Sequence, residues 1–563
     1  MKKLLIANRG EIAVRIARTA AEMGIATVAV FSEDDAASLH TRKADEAHPL
    51  TGAGPAAYLD AGQIVDAARA LGCEAVHPGY GFLSENAAFA RACQAAGLIF
   101  VGPSPETLEL FGDKGRARAL AAQCDVPVLP GTDGPTSLEA ARAFLERLGQ
   151  GGAVMVKAVS GGGGRGMRPA SNPDELAEAF ARCASEAATA FGDGALYVEE
   201  FLPRARHVEV QIAGDGQVVS HLWDRECSLQ RQRQKVIEIA PAGSLPPEVR
   251  ERLFEAAVAL GRAARYRGLG TIEFLVAGER IVFIEGNARL QVEHTVTEEV
   301  TGLDLVCLQI ELAQGRTLAD LGLTQADVPR PRGVAVQARV NLETMAADGS
   351  ARPAGGTLSA FEPPSGPGVR VDGFGYAGYR TSARFDSLLA KLIVHANAGG
   401  LPTAAAKARR ALSEFRIAGA ATNIGLLQAL LAHPDVVAGE VHTRFIEEHM
   451  GELAQAQAAP KLYFETAGGR EARRAGVQVD TVDPLAVLAL GKSEAVQDPA
   501  DEAPEGPEGT RALRAPLQGT VIAITAEAGQ AVRRGQPLFV MESMKMEHVV
   551  AAEFAGVVRE VTV

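Results

Sequence analysis

From Lys2 to about Gly102, short apolar runs alternate with segments of helical periodicity. KLLIA comes first, then a stretch with Ile12, Ile16, Ala20 and Met23 on one face, then ATVAVF, and later LIFVG. Apolar runs separated by amphipathic helices predict an α/β layer built on a parallel sheet. Past about residue 130 the pattern changes. A glycine-rich insertion reaches to about residue 203, followed by strict alternation in HVEVQIAG, a turn at GDGQ and a second hairpin in TIEFLVAGERIVFIEG. Period-two alternation broken by glycine-containing turns predicts antiparallel pairing. GVAVQARVN alternates in the same way, with Gln337, Arg339 and Asn341 opposite Val334, Val336 and Val340. A mixed α+β region therefore follows the α/β start.

Between Ser493 and Thr510 the chain carries six acidic residues, three prolines, no base and no aromatic, the composition of a flexible linker. From about Leu513 it is dense in Val, Ile and Gly and reads as a small all-β module. Within it APLQGTVIAI (515–524) resembles AEFAGVVREV (552–561) in its small, apolar, glycine and β-branched positions, and Lys545 sits between the two copies. Two halves around one lysine suggest a quasi-symmetric β fold with that lysine on the connecting turn. The first copy continues through GQAVRRGQPLFVME, whereas the second stops at Val563. Because an uncovered strand edge is poorly tolerated, the module reads as incomplete, and the natural polypeptide is expected to extend further.

Composition narrows the function classes. Lys plus Arg number 56 against 69 Asp plus Glu, a formal net charge of −13, which works against a general nucleic-acid or anionic-membrane binder. No apolar run approaches the roughly 18 residues of a membrane span, and no signal-peptide core follows Lys2 and Lys3. These features predict a soluble, cytoplasmic protein. The six cysteines are scattered without CxxC or Cys/His pairing, so neither a disulfide scaffold nor a structural zinc site is expected.

Three segments could carry chemistry. In VMVKAVSGGGGRGMR, Lys157 ends a strand and the run containing Gly162, Gly163 and Gly164 could close backbone N–H groups around phosphate oxygens; a surface loop has the same composition. Pro169 argues against the helix that a dinucleotide fingerprint needs. In the hairpin 271–286, a three-residue loop Ala277-Gly278-Glu279 would set Glu273 opposite Phe283 with Glu285 diagonally beside it. Two acids on apolar strands ask for a cation, and Mg²⁺ shared with substrate phosphates meets that need. If the chain stays extended past Asn287, then Arg289, Gln291 and Glu293 share a face suited to binding and deprotonating a small oxyanion, unless this is a solvated edge strand. Arg339 could stabilise a developing oxyanion or be a surface charge.

IANRGEIAVRI, HPGYGFLSEN, GGGGRGMR, RHVEVQ, IEGNARLQVEHTVTE and QARVN, in this order and spacing, closely resemble the biotin carboxylase component of biotin-dependent carboxylases, an ATP-grasp fold. MESMKMEH is similar to the biotinyl-lysine turn of a biotin carboxyl carrier domain. The resemblance implies a Rossmann-like N-terminal domain at 1–113, an ATP-grasp domain at 114–330 with a lid at about 130–203, and a C-terminal domain at 331–450. A connector and acidic linker at 451–512 and a barrel-sandwich biotinyl domain at 513–563 complete it. It further implies that Lys114 and Lys157 contact ATP phosphates, that Glu199 and Leu202 line the adenine site, and that His207 and Gln230 lie near the nucleotide. Glu273 and Glu285, with Asn287 nearby, resemble ligands for Mg²⁺ or Mn²⁺. Lys235, Arg289, Gln291 and Val292 resemble a bicarbonate pocket, Glu293 its general base, Arg339 the group that stabilises the biotin enolate, and Lys545 the biotin attachment point. Arg233 departs from the family, which often has His or Asn there.

The implied reaction is ATP- and bicarbonate-dependent carboxylation of carrier-bound biotin, the first half-reaction of a biotin-dependent carboxylase. RTSARFDSLLAKLIVH, where many members carry a proline pair before Tyr-Asp, and QARVNLETM together resemble the branch in which carboxylase and carboxyltransferase share one chain. An acyl-CoA carboxylase is the expected setting, with a carboxyltransferase, a biotin protein ligase and further copies of the chain as partners. Two other classes explain fewer residues. An ATP-grasp ligase joining a carboxylate to an amine leaves Lys545 idle, and a non-catalytic scaffold leaves Lys157, Glu273, Glu285, Arg289 and Glu293 unexplained.

Overall fold

The computed structural model describes residues 1–132, 134–149, 151–159, 167–191, 193–345, 351–456, 459–464, 510, 513, 515, 519–543 and 546–561. They fall into two compact units, Met1–Pro460 and Lys461–Val563. In the first unit, β1 (Lys3–Ile6), β2 (Ala26–Phe31), β3 (Glu46–Pro49), β4 (Ala75–His77) and β5 (Ile99–Phe100) form a sheet in the order β3-β2-β1-β4-β5. Every pairing in it is parallel. Leu4, Leu5, Ile6 and Val28 are fully buried, as strands covered on both faces require. The helix Gly10–Glu22 turns Ile12, Ile16 and Ala20 inward, so the α/β layer expected here is present.

A small antiparallel sheet, β7-β6-β8, follows, made of β6 (Val154–Ala158), β7 (Met167–Ala170) and β8 (Leu196–Glu200). It has its own core of Phe144, Val156, Leu176 and Val198. Pro169 lies in β7, not in a helix. Gly162, Gly163 and Gly164 lie outside the described residues.

The largest element is an eight-stranded antiparallel sheet. Its strands come from β9 (Arg206–Asp215), β10 (Val219–Arg231), β11 (Gln234–Ala240), β12 (Arg267–Ala277), β13 (Arg280–Asn287) and β14 (Val334–Asn341). Beyond the hairpin β15 (Glu343–Met345) and β16 (Ala351–Pro353), and β17 (Ala360–Glu362), come β18 (Val369–Gly373) and β19 (Leu388–Ala396); β20 (Arg416–Ala418) pairs with β17. The order is β13-β12-β9-β10-β11-β14-β19-β18. β11 pairs with β14 from Ile237↔Ala338 to Ala240↔Ala335, so one sheet runs across the division expected near residue 330.

Two expectations about this sheet are corrected. The β12–β13 connection is a two-residue turn, Gly278-Glu279, with Ala277 paired to Arg280. Gly278 takes φ +61°, which a side chain would resist and a tight hairpin turn needs. An irregularity between Glu273 and Phe274 then restores the facing, so Glu285 stands directly opposite Glu273 and Phe283 opposite Phe274. The chain also does not stay extended to Glu293. His294–Thr301 is a helix with Glu293 at its N-cap, because Val296 and Val300, one turn apart, bury against Ala335 and Ile393.

The second unit contains β21 (Thr520–Ile524), β22 (Ala531–Val532), β23 (Pro537–Ser543), β24 (Met546–Ala551) and β25 (Gly556–Val557). They form the sheets β21-β23-β24 and β22-β25, with Met541, Met546 and Val550 buried. The two copies of the internal repeat each supply a strand, β21 to one sheet and β25 to the other. Met544, Lys545 and the acidic segment 493–509 lie outside the described residues. Among those described, no helix is long and apolar enough to cross a membrane.

Candidate active site

The alternation of β9, β10, β11 and β14 gives the large sheet one apolar and one polar face, and the polar face carries a chain of buried charges. Arg225 is fully buried yet has every donor arm engaged: Nε with Glu209 at 2.5 Å, Nη1 with Gln211 and Thr297 at 2.8 and 3.0 Å, and Nη2 with Thr271 at 3.1 Å. The other Glu209 oxygen accepts from Lys235 Nζ at 2.6 Å. Lys235 reaches Glu293 at 2.6 Å and Glu273 at 3.0 Å as well. Despite burial, these three carboxylates hold the Lys235 ammonium well above its ordinary value. Arg339 Nε donates to Glu238 at 2.6 Å and its Nη2 to Glu293 at 3.0 Å.

Glu293 therefore stands between two cations, its oxygens divided between Lys235 and Arg339. Burial opposes its charge, but Lys235, Arg339 and Arg225 together hold the carboxyl well below the usual carboxylate range. Beside it, Arg289 donates to Glu85 at 2.8 Å, to Gln291 Oε1 at 2.9 Å and to Asn287 Oδ1 at 3.2 Å. Gln291 Nε2 and Asn287 Nδ2 both donate to Glu273, at 3.1 and 2.9 Å. The carbonyl of Val292 accepts from Lys391 at 3.0 Å. The residues expected to share an extended face thus meet through a turn.

The two acids of the hairpin differ in environment. Glu273 is engaged by Lys235, Asn287 and Gln291, and its Oε2 lies 2.7 Å from His207 Nε2; despite burial, Lys235 and His207 hold it below the usual range. Gln230 Nε2 lies 2.5 Å from the other His207 nitrogen. Glu285 has no hydrogen-bond or ion-pair partner among the described residues. Burial and then the facing Glu273 charge raise its carboxyl above the usual range, against the pull of Lys114. Gly286 next to it packs against Phe111, whose ring atoms would lie 2.4 Å from an added Cβ; a larger residue there would push the strand off the N-terminal layer. A half-buried carboxylate with no partner among the described residues, opposite a second carboxylate, fits a divalent ion.

A cavity of about 1360 Å³ lies between the N-terminal layer and the small sheet, lined by Lys114, Arg116, Arg118, Thr132, Val159 and Tyr197 among others. Lys114 opens the helix Lys114–Gln123 and is lowered by burial, with Lys157 adding to the effect. Lys157 on β6 pairs with Glu199 on β8. Arg118, one turn beyond Lys114, reaches Glu199 at 3.4 Å and the Leu129 carbonyl at 2.7 Å. Leu202 is half-buried in the segment between β8 and β9. Arg233, at the tip of the β10–β11 hairpin, donates to the Met167 carbonyl at 3.0 Å. Sequence reasoning missed Glu209, Arg225, Glu238 and Arg118. The first three are polar positions on alternating strands, and only the knowledge that this face is covered would have marked them.

This pair of sheets, a cavity whose lining mixes Lys114, Arg116 and Arg118 with Glu85, Glu109 and Asp113, and a carboxylate flanked by lysine and arginine match what an ATP-grasp ligase requires. Residues 1–108 match the family described as biotin carboxylase, N-terminal domain, and 337–448 match its C-terminal domain. Residues 113–321 match the carbamoyl-phosphate synthase L chain, ATP binding domain, and 511–563 match the family described as biotin-requiring enzyme. Mitochondrial pyruvate carboxylase of Homo sapiens is 49% identical over 457 residues, 80% of this chain and 38% of its own. Among solved structures, the biotin carboxylase domain dimer of Hydrogenobacter thermophilus 2-oxoglutarate carboxylase, in complex with MgADP and bicarbonate, is 40% identical with a TM-score of 0.75. It covers 81% of this chain, which in turn covers 99% of it. A single-chain, multi-domain long-chain acyl-CoA carboxylase is 42% identical with a TM-score of 0.71, covering 98% of this chain and 48% of its own. The chain belongs to the biotin carboxylase family and carries a C-terminal biotinyl domain. ATP and biotin are its cofactors. It spans 38% of the length of the human pyruvate carboxylase it matches.

Proposed function

We propose that the chain uses ATP and bicarbonate to carboxylate biotin held on Lys545, for eventual transfer to an acyl-CoA. The observation that carries the chemistry is Glu293 set between Lys235 and Arg339, with Arg289 and Gln291 adjoining. Bicarbonate would lie among Lys235, Arg289, Gln291 and the Val292 backbone, and Glu293 would remove its proton. Paired as it is, Glu293 is a weak base; a second anion drawing on the same cations raises its basicity when the substrate binds. The deprotonated oxygen then attacks the γ-phosphorus held by Lys114 and Lys157, the bond to ADP breaks, and carboxyphosphate forms. Glu285 and Glu273, with Asn287 beside them, would hold Mg²⁺, which neutralises phosphate charge. Cleavage of the carboxyphosphate C–O bond would release CO2 and phosphate; biotin, when bound, would supply the ureido nitrogen that takes up CO2, its N–H proton passing to the phosphate, and Arg339 would stabilise the negative charge developing there. Glu199 and Leu202 would face the adenine, and His207 and Gln230 the nucleotide.

Bicarbonate-dependent ATP cleavage, stimulated by free biotin, tests the reading; cleavage indifferent to both additions would refute it. Made together with biotin protein ligase, the chain should gain the mass of one biotin less water, and Lys545→Arg should gain nothing. Unchanged mass in the parent would remove the carrier role. Glu285→Gln should raise the Mg²⁺ concentration needed for ATP cleavage by about tenfold, roughly 1.4 kcal/mol. A raised folded-state carboxyl loses stability as pH climbs from the unfolded pKa through the folded one, so in metal-free buffer at neutral pH this variant should melt no lower than the parent. An unchanged Mg²⁺ requirement would take Glu285 out of the metal site.

The acyl-CoA acceptor is supported by alignment length. The long-chain acyl-CoA carboxylase aligns over 98% of this chain, through the carrier region, whereas the human pyruvate carboxylase aligns over 80%. Identity is higher with the latter, at 49% against 42%, which favours pyruvate as the second reading. With a carboxyltransferase from the same source, labelled carboxyl should pass to acyl-CoA; passage to pyruvate alone would reverse the assignment.

A further inference from the structure

Lys391 has no place in the chemistry described so far, yet it is wholly buried on β19. Its ammonium donates to the Val292 carbonyl at 3.0 Å and lies 3.1 Å from Glu11 Oε2. Glu11 is in the first turn of the helix Gly10–Glu22, and its other oxygen accepts from the Tyr80 hydroxyl. Tyr80 follows β4, and Asn8 Nδ2 holds that segment by donating to the carbonyls of Pro78 and Tyr80 at 2.7 and 2.8 Å. Asp372 is the cross-strand neighbour of Lys391. A row of contacts therefore runs from two loops of the parallel sheet, through a strand of the large sheet, to the peptide that joins Val292 to Glu293.

That peptide is where positional error would be most costly. It has no ladder partner: β13 has ended at Asn287 and the next helix begins at His294. In a trans peptide the carbonyl of Val292 and the N–H of Glu293 point in opposite directions, so fixing the carbonyl fixes the entry of Glu293 into its N-cap position. A buried lysine is costly to keep charged unless paired. Glu11 supplies the counter-charge that leaves Lys391 free to donate to the carbonyl.

We propose that Lys391, held by Glu11 and Tyr80, is a positioning residue that sets the Val292–Glu293 peptide for bicarbonate. This rests on the reading of Glu293 as the base of a bicarbonate pocket. The test measures ATP cleavage by the full chain, with free biotin, against bicarbonate and ATP concentrations in turn. Lys391→Met keeps the length of the side chain and removes its charge and donors. The KM for bicarbonate should rise at least about tenfold, the KM for ATP should stay within about threefold, and Lys391→Arg should recover most of the loss. A purely structural role would lower kcat and the melting temperature and leave the bicarbonate KM alone, and that result overturns the proposal. A parallel rise in the ATP KM overturns it too. If Lys391→Met does not fold, Glu11→Gln serves: a rise of threefold or more in bicarbonate KM supports the proposal and an unchanged KM in folded protein rejects it. Failure of the parent chain to cleave ATP in response to bicarbonate would defeat the reading beneath the proposal, and the proposal with it.

Discussion

Replacing Glu293 by Gln should lower bicarbonate-dependent turnover by about 10² to 10⁴, the usual cost of losing a general base, with nucleotide affinity nearly unchanged. The amide keeps the volume and can still accept from either Lys235 or Arg339, which reach the carboxylate at 2.6 and 3.0 Å, but it cannot take a proton. It also leaves those two cations with one fewer counter-charge in a buried place. Some loss of thermal stability, on the order of 1–3 kcal/mol, is therefore expected alongside the kinetic defect. Among the described residues neither Lys114 nor Lys157 makes a hydrogen bond or ion pair with Glu293, so ADP affinity should hold. Single-turnover ATP cleavage with saturating bicarbonate separates the two effects. A variant within about twofold of the parent would mean that Glu293 does not carry the proton.

Arg339→Ala should split two activities that Glu293→Gln removes together. If Arg339 acts after carboxyphosphate forms, carboxylation of free biotin should fall by about 10² to 10³, the range for loss of one oxyanion-stabilising group. Bicarbonate-dependent ATP cleavage should fall much less. Glu238 complicates the variant: its side chain is fully buried, burial already raises its carboxyl, and Arg339 is the cation that opposes the rise. Without Arg339 the Glu238 carboxyl should rise further above the usual range. Arg339→Lys, which leaves a cation beside Glu238, is the control for that secondary change. Equal losses in both activities would place Arg339 on ATP or bicarbonate.

Much of the scaffold is legible in the sequence because its periodicities are clean. KLLIA, ATVAVF and the alternating HVEVQIAG and GVAVQARVN occupy strands of the expected type. The misreadings arise where a local rule met a competing one. A three-residue loop was the natural reading of Ala277-Gly278-Glu279, but the positive φ of Gly278 permits a tighter turn, and an irregularity at Phe274 absorbs the register change. The extended path to Glu293 yielded to burial of Val296 and Val300, which requires a helix. Glu209 and Arg225 stayed hidden for a different reason. Alternation shows that two faces differ, but not that the polar face is enclosed, and a buried ion pair looks on paper like a solvated one. Residue types identify the donors of the site, but the order of contacts among Lys235, Glu209, Glu273 and Glu293 depends on three strands and a turn meeting in space.

The sheet that carries β11 next to β14 has a practical corollary. The matched regions end at residue 321 and resume at residue 337, an inviting place to cut, but four main-chain pairings cross there from Ile237 to Ala240. A fragment ending near residue 330 would expose a hydrophobic strand margin ready to recruit another molecule, so it should precipitate or form fibrils instead of yielding a tractable catalytic core. The same continuity makes a hinge at that point mechanically implausible.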